Sequence, residues 1–127
     1  EQIARIISNS RKDFFVWSGN DGDTLPVLAL GGYGIISVAS HLVGQQISEM
    51  IYSFISGKVD EAATIHRQLI PLFNVLFAVS NPIPVKYALN HIGFRVGKPR
   101  LPLIEPDEKS ANLIKETLKI YKIDLPV

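Results

Sequence analysis

Two short apolar runs near the start of the chain limit what this sequence can fold into. The first, Phe14–Trp17, is a continuous aromatic and β-branched run, and residues 35–38 form the second. The segment between them can open as a short helix and stops at Gly31-Gly32, so residues 14–38 predict a strand, a crossover helix and a parallel strand. Parallel strands occur almost only in sheets that are covered on both faces. A pair of such strands is therefore predicted to belong to a sheet with more than two strands.

The remaining sequence has helical periodicity. Residues 1–10 predict a first helix, and a later apolar stripe with spacings of three and four ends at the stop signal Gly57. The apolar positions of that stripe are Ile47, Met50, Ile51, Phe54 and Ile55. Asp60 is predicted to cap a long helix that Pro71 kinks midway.

Two further helices are predicted in the last third of the chain. Asn81 is predicted to cap a helix that has both following prolines in its first turn and ends at Gly93. Asp107 is predicted to cap the last helix. Its predicted apolar face comprises Leu113, Ile114, Thr117, Leu118 and Tyr121. The predicted fold class is therefore α/β and helix-rich.

The polar segment Ser18-Gly19-Asn20-Asp21 directly follows the first apolar run. In eight-stranded parallel barrels, which need about 250 residues, the active site lies at the carboxyl ends of the strands. This segment is therefore the candidate functional site, in a chain of 127 residues that is too short for a whole barrel.

Composition excludes several other classes of protein. The net charge of +1 and the lack of a Lys/Arg cluster argue against nucleic-acid binding, and the absence of cysteine excludes thiolate chemistry and disulfides. No apolar stretch reaches the ~20 residues of a membrane span. His41, His66 and His91 lie apart without paired carboxylates, so neither a metal site nor a cofactor is predicted. We expect a cytoplasmic protein, and the first residues resemble the interior of a longer one.

Four motifs carry a resemblance to a known family. They are Ser18-Gly19-Asn20-Asp21, Leu30-Gly31-Gly32-Tyr33-Gly34-Ile35-Ile36-Ser37-Val38, Asn81-Pro82-Ile83-Pro84-Val85-Lys86 and Arg100-Leu101-Pro102-Leu103. In order and spacing they resemble dihydrodipicolinate synthase, a family of the pyruvate-dependent class I aldolase, or N-acetylneuraminate lyase, superfamily. The resemblance implies a C-terminal fragment of a TIM (β/α)8 barrel. It comprises strands seven and eight with their helices (residues 1–43), then the last barrel helix and a C-terminal helical extension (residues 44–127).

The resemblance also implies an activity. Members of the family form a Schiff base between pyruvate and a lysine, and the resulting enamine attacks aspartate semialdehyde on the route to lysine. That lysine ends strand six, which would lie upstream of Glu1. We therefore expect no catalytic residue in this chain. Lys12 precedes strand seven, and Lys58, Lys86, Lys115, Lys119 and Lys122 lie on helices or at their ends.

The residues that the resemblance assigns to the substrate site act through their backbone. Gly19 matches a glycine that lets the backbone approach the substrate, and Ile36 matches the position whose carbonyl lies beside pyruvate. Ser18 and Asn20 are given supporting roles, although the family commonly has an acidic residue where Asn20 stands. Without the resemblance, Gly19 could simply be a turn residue after a strand.

Two alternatives stay open at this point. The chain could be a non-catalytic helical module that works in oligomer contacts, or a piece of a related sugar-acid aldolase. The resemblance implies a homo-oligomer, a tetramer or a dimer, for the parent enzyme, with pyruvate and aspartate semialdehyde as its substrates.

Overall fold

The computed structural model describes residues 1–125, and most of them are helical. The elements in chain order are α1 (Gln2–Asn9), β1 (Trp17–Ser18), a 3-10 helix (Asp21–Asp23), α2 (Thr24–Ala29), β2 (Gly34–Ile35), α3 (Ser40–Ile55), α4 (Val59–Leu76), α5 (Ile83–His91) and α6 (Glu108–Leu118). The prediction of a helix-rich α/β chain with two strands is confirmed.

The two strands are parallel neighbours joined through α2. Trp17 pairs with Gly34 and Ser18 with Ile35, which confirms the strand–helix–strand unit. The bounds predicted for both strands were wrong, because only residues with a hydrogen-bonded neighbour form a ladder. Phe14 and Phe15 precede the ladder and are each 59% exposed, so they are not covered on both faces as the apolar run predicted.

The helices after β2 form one apolar core. The largest fully buried side chains include Leu42 and Met50 of α3, Leu72 and Leu76 of α4, and Ile114 of α6. Burying a side chain of this size contributes about 1.5–3 kcal/mol, so this cluster holds the helical part together.

The helix ends follow ordinary capping chemistry, with differences in detail. Gly57 and Gly93 adopt φ of 81° and 97° after α3 and α5, as predicted for helix stops. Asp107 caps α6, since its Oδ1 accepts a hydrogen bond from the Ser110 N–H at 2.7 Å. The N-cap residue of α4 is Lys58, not Asp60 as predicted. Asp60 lies in the first turn of α4, where its negative charge interacts favourably with the helix dipole.

Two other helix predictions needed correction. The cap of α5 is Pro82, not Asn81, because the Ile83 N–H bonds to the Ser80 carbonyl in a turn that delays the helix. Only Pro84 therefore lies inside this helix. On α6, Leu113 is 53% exposed, because the face packed on the core is formed by Ala111, Ile114 and Leu118.

Asp124 forms hydrogen bonds at a break in α3. The backbone of Val43 leaves the helical region there (φ −133°, ψ 38°). By contrast, α4 is one continuous helix through Pro71. At the break, Asp124 accepts a hydrogen bond from the Gln45 N–H at 2.6 Å and donates its own N–H to the Leu42 carbonyl at 2.8 Å. Backbone groups that the break leaves unpaired thus find partners.

None of the helices among residues 1–125 combines the length and the hydrophobicity that a membrane span requires.

Candidate functional site

The structure brings the predicted site residues together at the carboxyl ends of the two strands. Ser18 ends β1 and is followed by Gly19 and Asn20, while Ile36 directly follows β2. The Ile36 N–H donates a hydrogen bond to the Ser18 carbonyl at 2.9 Å, which extends the ladder by one rung. The exits of both strands therefore lie side by side.

Gly19 has no conformational reason of its own to be glycine. Its φ lies outside the left-handed region, and a Cβ built on it meets no atom within 4 Å. Gly32 differs, because a Cβ there would lie 2.8 Å from the Val27 carbonyl oxygen. The turn alone thus does not require glycine at position 19, and the space beside it is open.

The backbone of Ile36, and not its side chain, is the part of this residue that can contribute to a site. The side chain is 70% exposed. Among residues 1–125, no backbone or side-chain donor bonds to its carbonyl oxygen, while its N–H is held by Ser18. The carbonyl is therefore an available acceptor at the strand end.

Ser18 and Asn20 shape the turn between β1 and the 3-10 helix. The buried Ser18 Oγ donates to the Asn20 carbonyl at 2.8 Å and accepts from the Asn20 N–H at 3.2 Å. Asn20 Oδ1 accepts from the Gly22 N–H, and its amide donates to Asp23 at 2.9 Å. Both side chains are used in local hydrogen bonds.

Asp21 is the residue of this site to which the sequence analysis gave no role. It is 1% exposed, and its carboxylate accepts hydrogen bonds from the Ser37 hydroxyl and from the N–H groups of Val38 and Ala39, the latter two at 3.2 Å. A carboxylate is buried only with such compensation. The signal in the sequence that could have indicated this role is an acidic residue in the short turn directly after the first strand.

The histidines do not join this site. His41 and His91 are exposed, and the Nδ1 atom of His66 is buried without a hydrogen-bond partner among the described residues. Burial, and secondarily the charge of Arg67, lowers the pKa of His66, against the opposing effect of Asp23. Residues 1–125 contain no group of three potential metal ligands.

Aromatic side chains gather at the amino ends of the two strands. The ring of Tyr33 lies 4.6 Å from that of Phe15 and 4.8 Å from that of Trp17, measured between ring centroids. Phe14 lines the same open cavity as Phe15 and Tyr33, and we call these four exposed side chains the aromatic face. Exposed patches of this kind mark contact surfaces.

Comparison with known proteins places the chain in a family. The model of the dihydrodipicolinate synthetase family matches residues 1–121. The chain belongs to this family. A 4-hydroxy-tetrahydrodipicolinate synthase of Dehalococcoides mccartyi is 66% identical to it over 127 residues, which are 100% of this chain and 43% of the relative. The chain thus spans less than half the length of this dihydrodipicolinate synthase.

Solved dihydrodipicolinate synthase structures share the fold. The enzyme of Thermotoga maritima is 44% identical, with a TM-score of 0.89 over 93% of this chain and 41% of its own. The enzyme of Aquifex aeolicus is 39% identical, with a TM-score of 0.91 over 98% of this chain and 43% of its own. The arrangement of strands and helices described above is therefore that of dihydrodipicolinate synthases.

Proposed function

We propose that the chain is part of a Schiff-base synthase that condenses pyruvate with aspartate semialdehyde in lysine and diaminopimelate biosynthesis. Membership of the dihydrodipicolinate synthetase family supports this proposal, as does the 66% identity to the Dehalococcoides synthase. In this proposal the chain supplies substrate-site backbone, and a lysine upstream of Glu1 supplies the nucleophile. No metal or cofactor takes part.

The proposal rests on the position of Gly19 and Ile36 at neighbouring strand ends. Gly19 has open space beside its backbone, and the Ile36 carbonyl has no hydrogen-bond donor among residues 1–125. A small keto acid bound at the strand ends could contact both, as expected where parallel barrel strands place their active site. Ser18 and Asn20 support these positions through the turn.

The lysines of the chain support an upstream nucleophile. A Schiff-base lysine needs a lowered pKa, which burial or a nearby cation provides. None of the lysines among residues 1–125 is buried. Lys12 lies before β1, at the opposite end of the strand from Gly19, and Lys86 donates to the Lys98 carbonyl at 2.8 Å, on the helical side.

The same proposal covers the architecture of the parent protein. Residues 1–43 would be the last strand–helix units of a TIM barrel, and residues 44–127 the last barrel helix with its extension. The exposed aromatic face supports this arrangement, because further strands would cover it. The parent would be a cytoplasmic homo-oligomer, a tetramer or a dimer.

A borohydride trap tests the assignment. The chain alone and a chimaeric enzyme, in which residues 1–127 replace the matching region of the Dehalococcoides synthase, are incubated with pyruvate and sodium borohydride and analysed by mass spectrometry. We expect one reduced pyruvate on the chimaeric enzyme, upstream of Glu1, and none on the chain alone.

Two outcomes would contradict the proposal. An adduct on a lysine of the isolated chain would show that the nucleophile lies here. An inactive chimaeric enzyme that folds normally would favour a non-catalytic helical module, whereas a chimaera that prefers sugar-acid substrates would favour a related aldolase.

A further inference from the structure

The Asp21 carboxylate ties the exits of the two strands together. It lies after β1, but all of its bonds run to the segment after β2: to the Ser37 hydroxyl, the Val38 N–H and the Ala39 N–H. These partners are 16 to 18 residues away along the chain. The carboxylate is thus a cross-link between the two strand exits, not a local turn contact.

The cross-link brackets Ile36. On the side of β2, the Ile36 N–H is fixed by the Ser18 carbonyl at 2.9 Å. On the other side, the Asp21 carboxylate fixes the next two residues. It accepts hydrogen bonds from the hydroxyl of Ser37 and from the N–H of Val38. A peptide group whose neighbours are both held can rotate little, so the direction of the Ile36 carbonyl is set by these bonds.

Asp21 is itself held rigidly. Its own carbonyl accepts a hydrogen bond from the buried Thr24 hydroxyl at 2.7 Å. Its partner Ser37 Oγ also accepts from the N–H of Ser40, the first residue of α3, at 2.8 Å. The side chain is 1% exposed, and no Lys or Arg among residues 1–125 forms an ion pair with it. Its stabilisation within the chain is therefore by directed hydrogen bonds, which fix geometry.

We infer that Asp21 is a positioning residue: its carboxylate holds residues 37–39 so that the Ile36 carbonyl points into the pyruvate site beside Gly19. This inference rests on the proposed function. Asp21 does not touch substrate. It acts through the backbone of the neighbouring strand exit, and a group held within about 0.5 Å of its working position is what precise substrate orientation requires.

The test uses the chimaeric enzyme with Asp21→Asn and Asp21→Ala. Ala removes both oxygens and with them all three bonds, whereas Asn can keep its oxygen on the Val38 and Ala39 N–H groups and donate its amide nitrogen to Ser37 Oγ. Active sites are counted by borohydride-trapped pyruvate, so that kcat/KM for pyruvate is obtained per working site. We expect this value to fall about 10-fold or more for Ala and by less for Asn, with the KM for aspartate semialdehyde unchanged.

The matched control is Asp13→Asn, on the entry side of β1. Asp13 is exposed and pairs only with the exposed Arg11 at 3.2 Å, a contact of little energetic value. This variant should keep the wild-type kcat/KM. Since Asp21 variants could unfold, Ser37→Ala provides a milder change that removes the hydroxyl bond to Asp21 and the one from the Ser40 N–H but leaves the Val38 and Ala39 bonds in place. Its loss should be smaller than that of Asp21→Ala, and the two losses should not add, because both variants act on one contact.

The outcomes separate the two proposals. Wild-type kcat/KM per site in Asp21→Ala, with only the number of folded molecules reduced, would mean that Asp21 is merely structural and would overturn the inference. Additive losses for Ser37→Ala and Asp21→Ala would also overturn it. If the chimaeric enzyme with Asp21 intact forms no pyruvate adduct, the proposed function fails, and the positioning role falls with it.

Discussion

Gly19→Ala in the chimaeric enzyme separates the needs of the fold from those of the site. The Gly19 backbone is not left-handed, and an added Cβ would have no neighbour within 4 Å in this chain. The fold should therefore accept alanine, which would raise the free energy of unfolding by about 0.4–1 kcal/mol through the unfolded chain. Substrate binding should respond differently.

The magnitude follows from where the methyl group would go. It would enter the open space at the strand ends, which is the proposed position of pyruvate. An extra methyl in a close contact costs about 1–3 kcal/mol. At about 1.4 kcal/mol per factor of ten, kcat/KM for pyruvate should fall about 5- to 150-fold.

The assay pairs steady-state kinetics with thermal unfolding. Gly22→Ala is the matched control, since Gly22 lies three residues further on and its Cβ would have only an ordinary 3.8 Å contact with Asn20 Oδ1. Gly32→Ala is the opposite control and should lower Tm, because its Cβ would lie 2.8 Å from a backbone oxygen. Wild-type kcat/KM in Gly19→Ala would refute the reasoning, as would a fall in Tm that matches Gly32→Ala.

Three further results are expected from the isolated chain. Asp107→Ala should lower the free energy of unfolding measured in urea titrations, and Asp107→Asn should lower it by less, since Asn keeps a capping oxygen. Because the pKa of His66 is lowered in the fold, stability should be complete above the ordinary value of 6.5 and decline as pH falls below it. His66→Gln should flatten that decline in urea midpoints, and an unchanged slope would count against the shift. The chain should self-associate in light scattering through its aromatic face, Phe15→Lys should weaken this, and a monodisperse monomer would contradict the prediction.

Local signals in the sequence predicted most of the elements, whereas the roles given to Gly19 and Ile36 stay predictions. The glycine stops at Gly57 and Gly93 and the cap at Asp107 depend on residues within one turn, and all three were confirmed. The strand order and the motif at Ser18–Asn20 were likewise readable, because βαβ connections have few alternatives.

Contacts between distant residues could not be predicted in this way. The Asp21 bonds to residues 37–39 and the Asp124 bond to Gln45 depend on the packed arrangement, and the second joins residues 79 positions apart. The strand bounds failed for a related reason: Phe14 and Phe15 have strand propensity, but a ladder also needs a neighbour.

The two parts of the chain are stabilised in different ways, and this bears on how the site is held. The helices share a core of fully buried side chains such as Leu72 and Ile114, whereas the strand pair has two residues in each strand and an exposed aromatic face. Packing reaches the strand exits through Ile35, Val38 and Ala39, which contact the helical core. Directed hydrogen bonds to the Ser18 carbonyl and the Asp21 carboxylate add to this packing and join both exits to each other and to the start of α3. The geometry of Gly19 and Ile36 can thus be set by this chain even though the sheet around them is small.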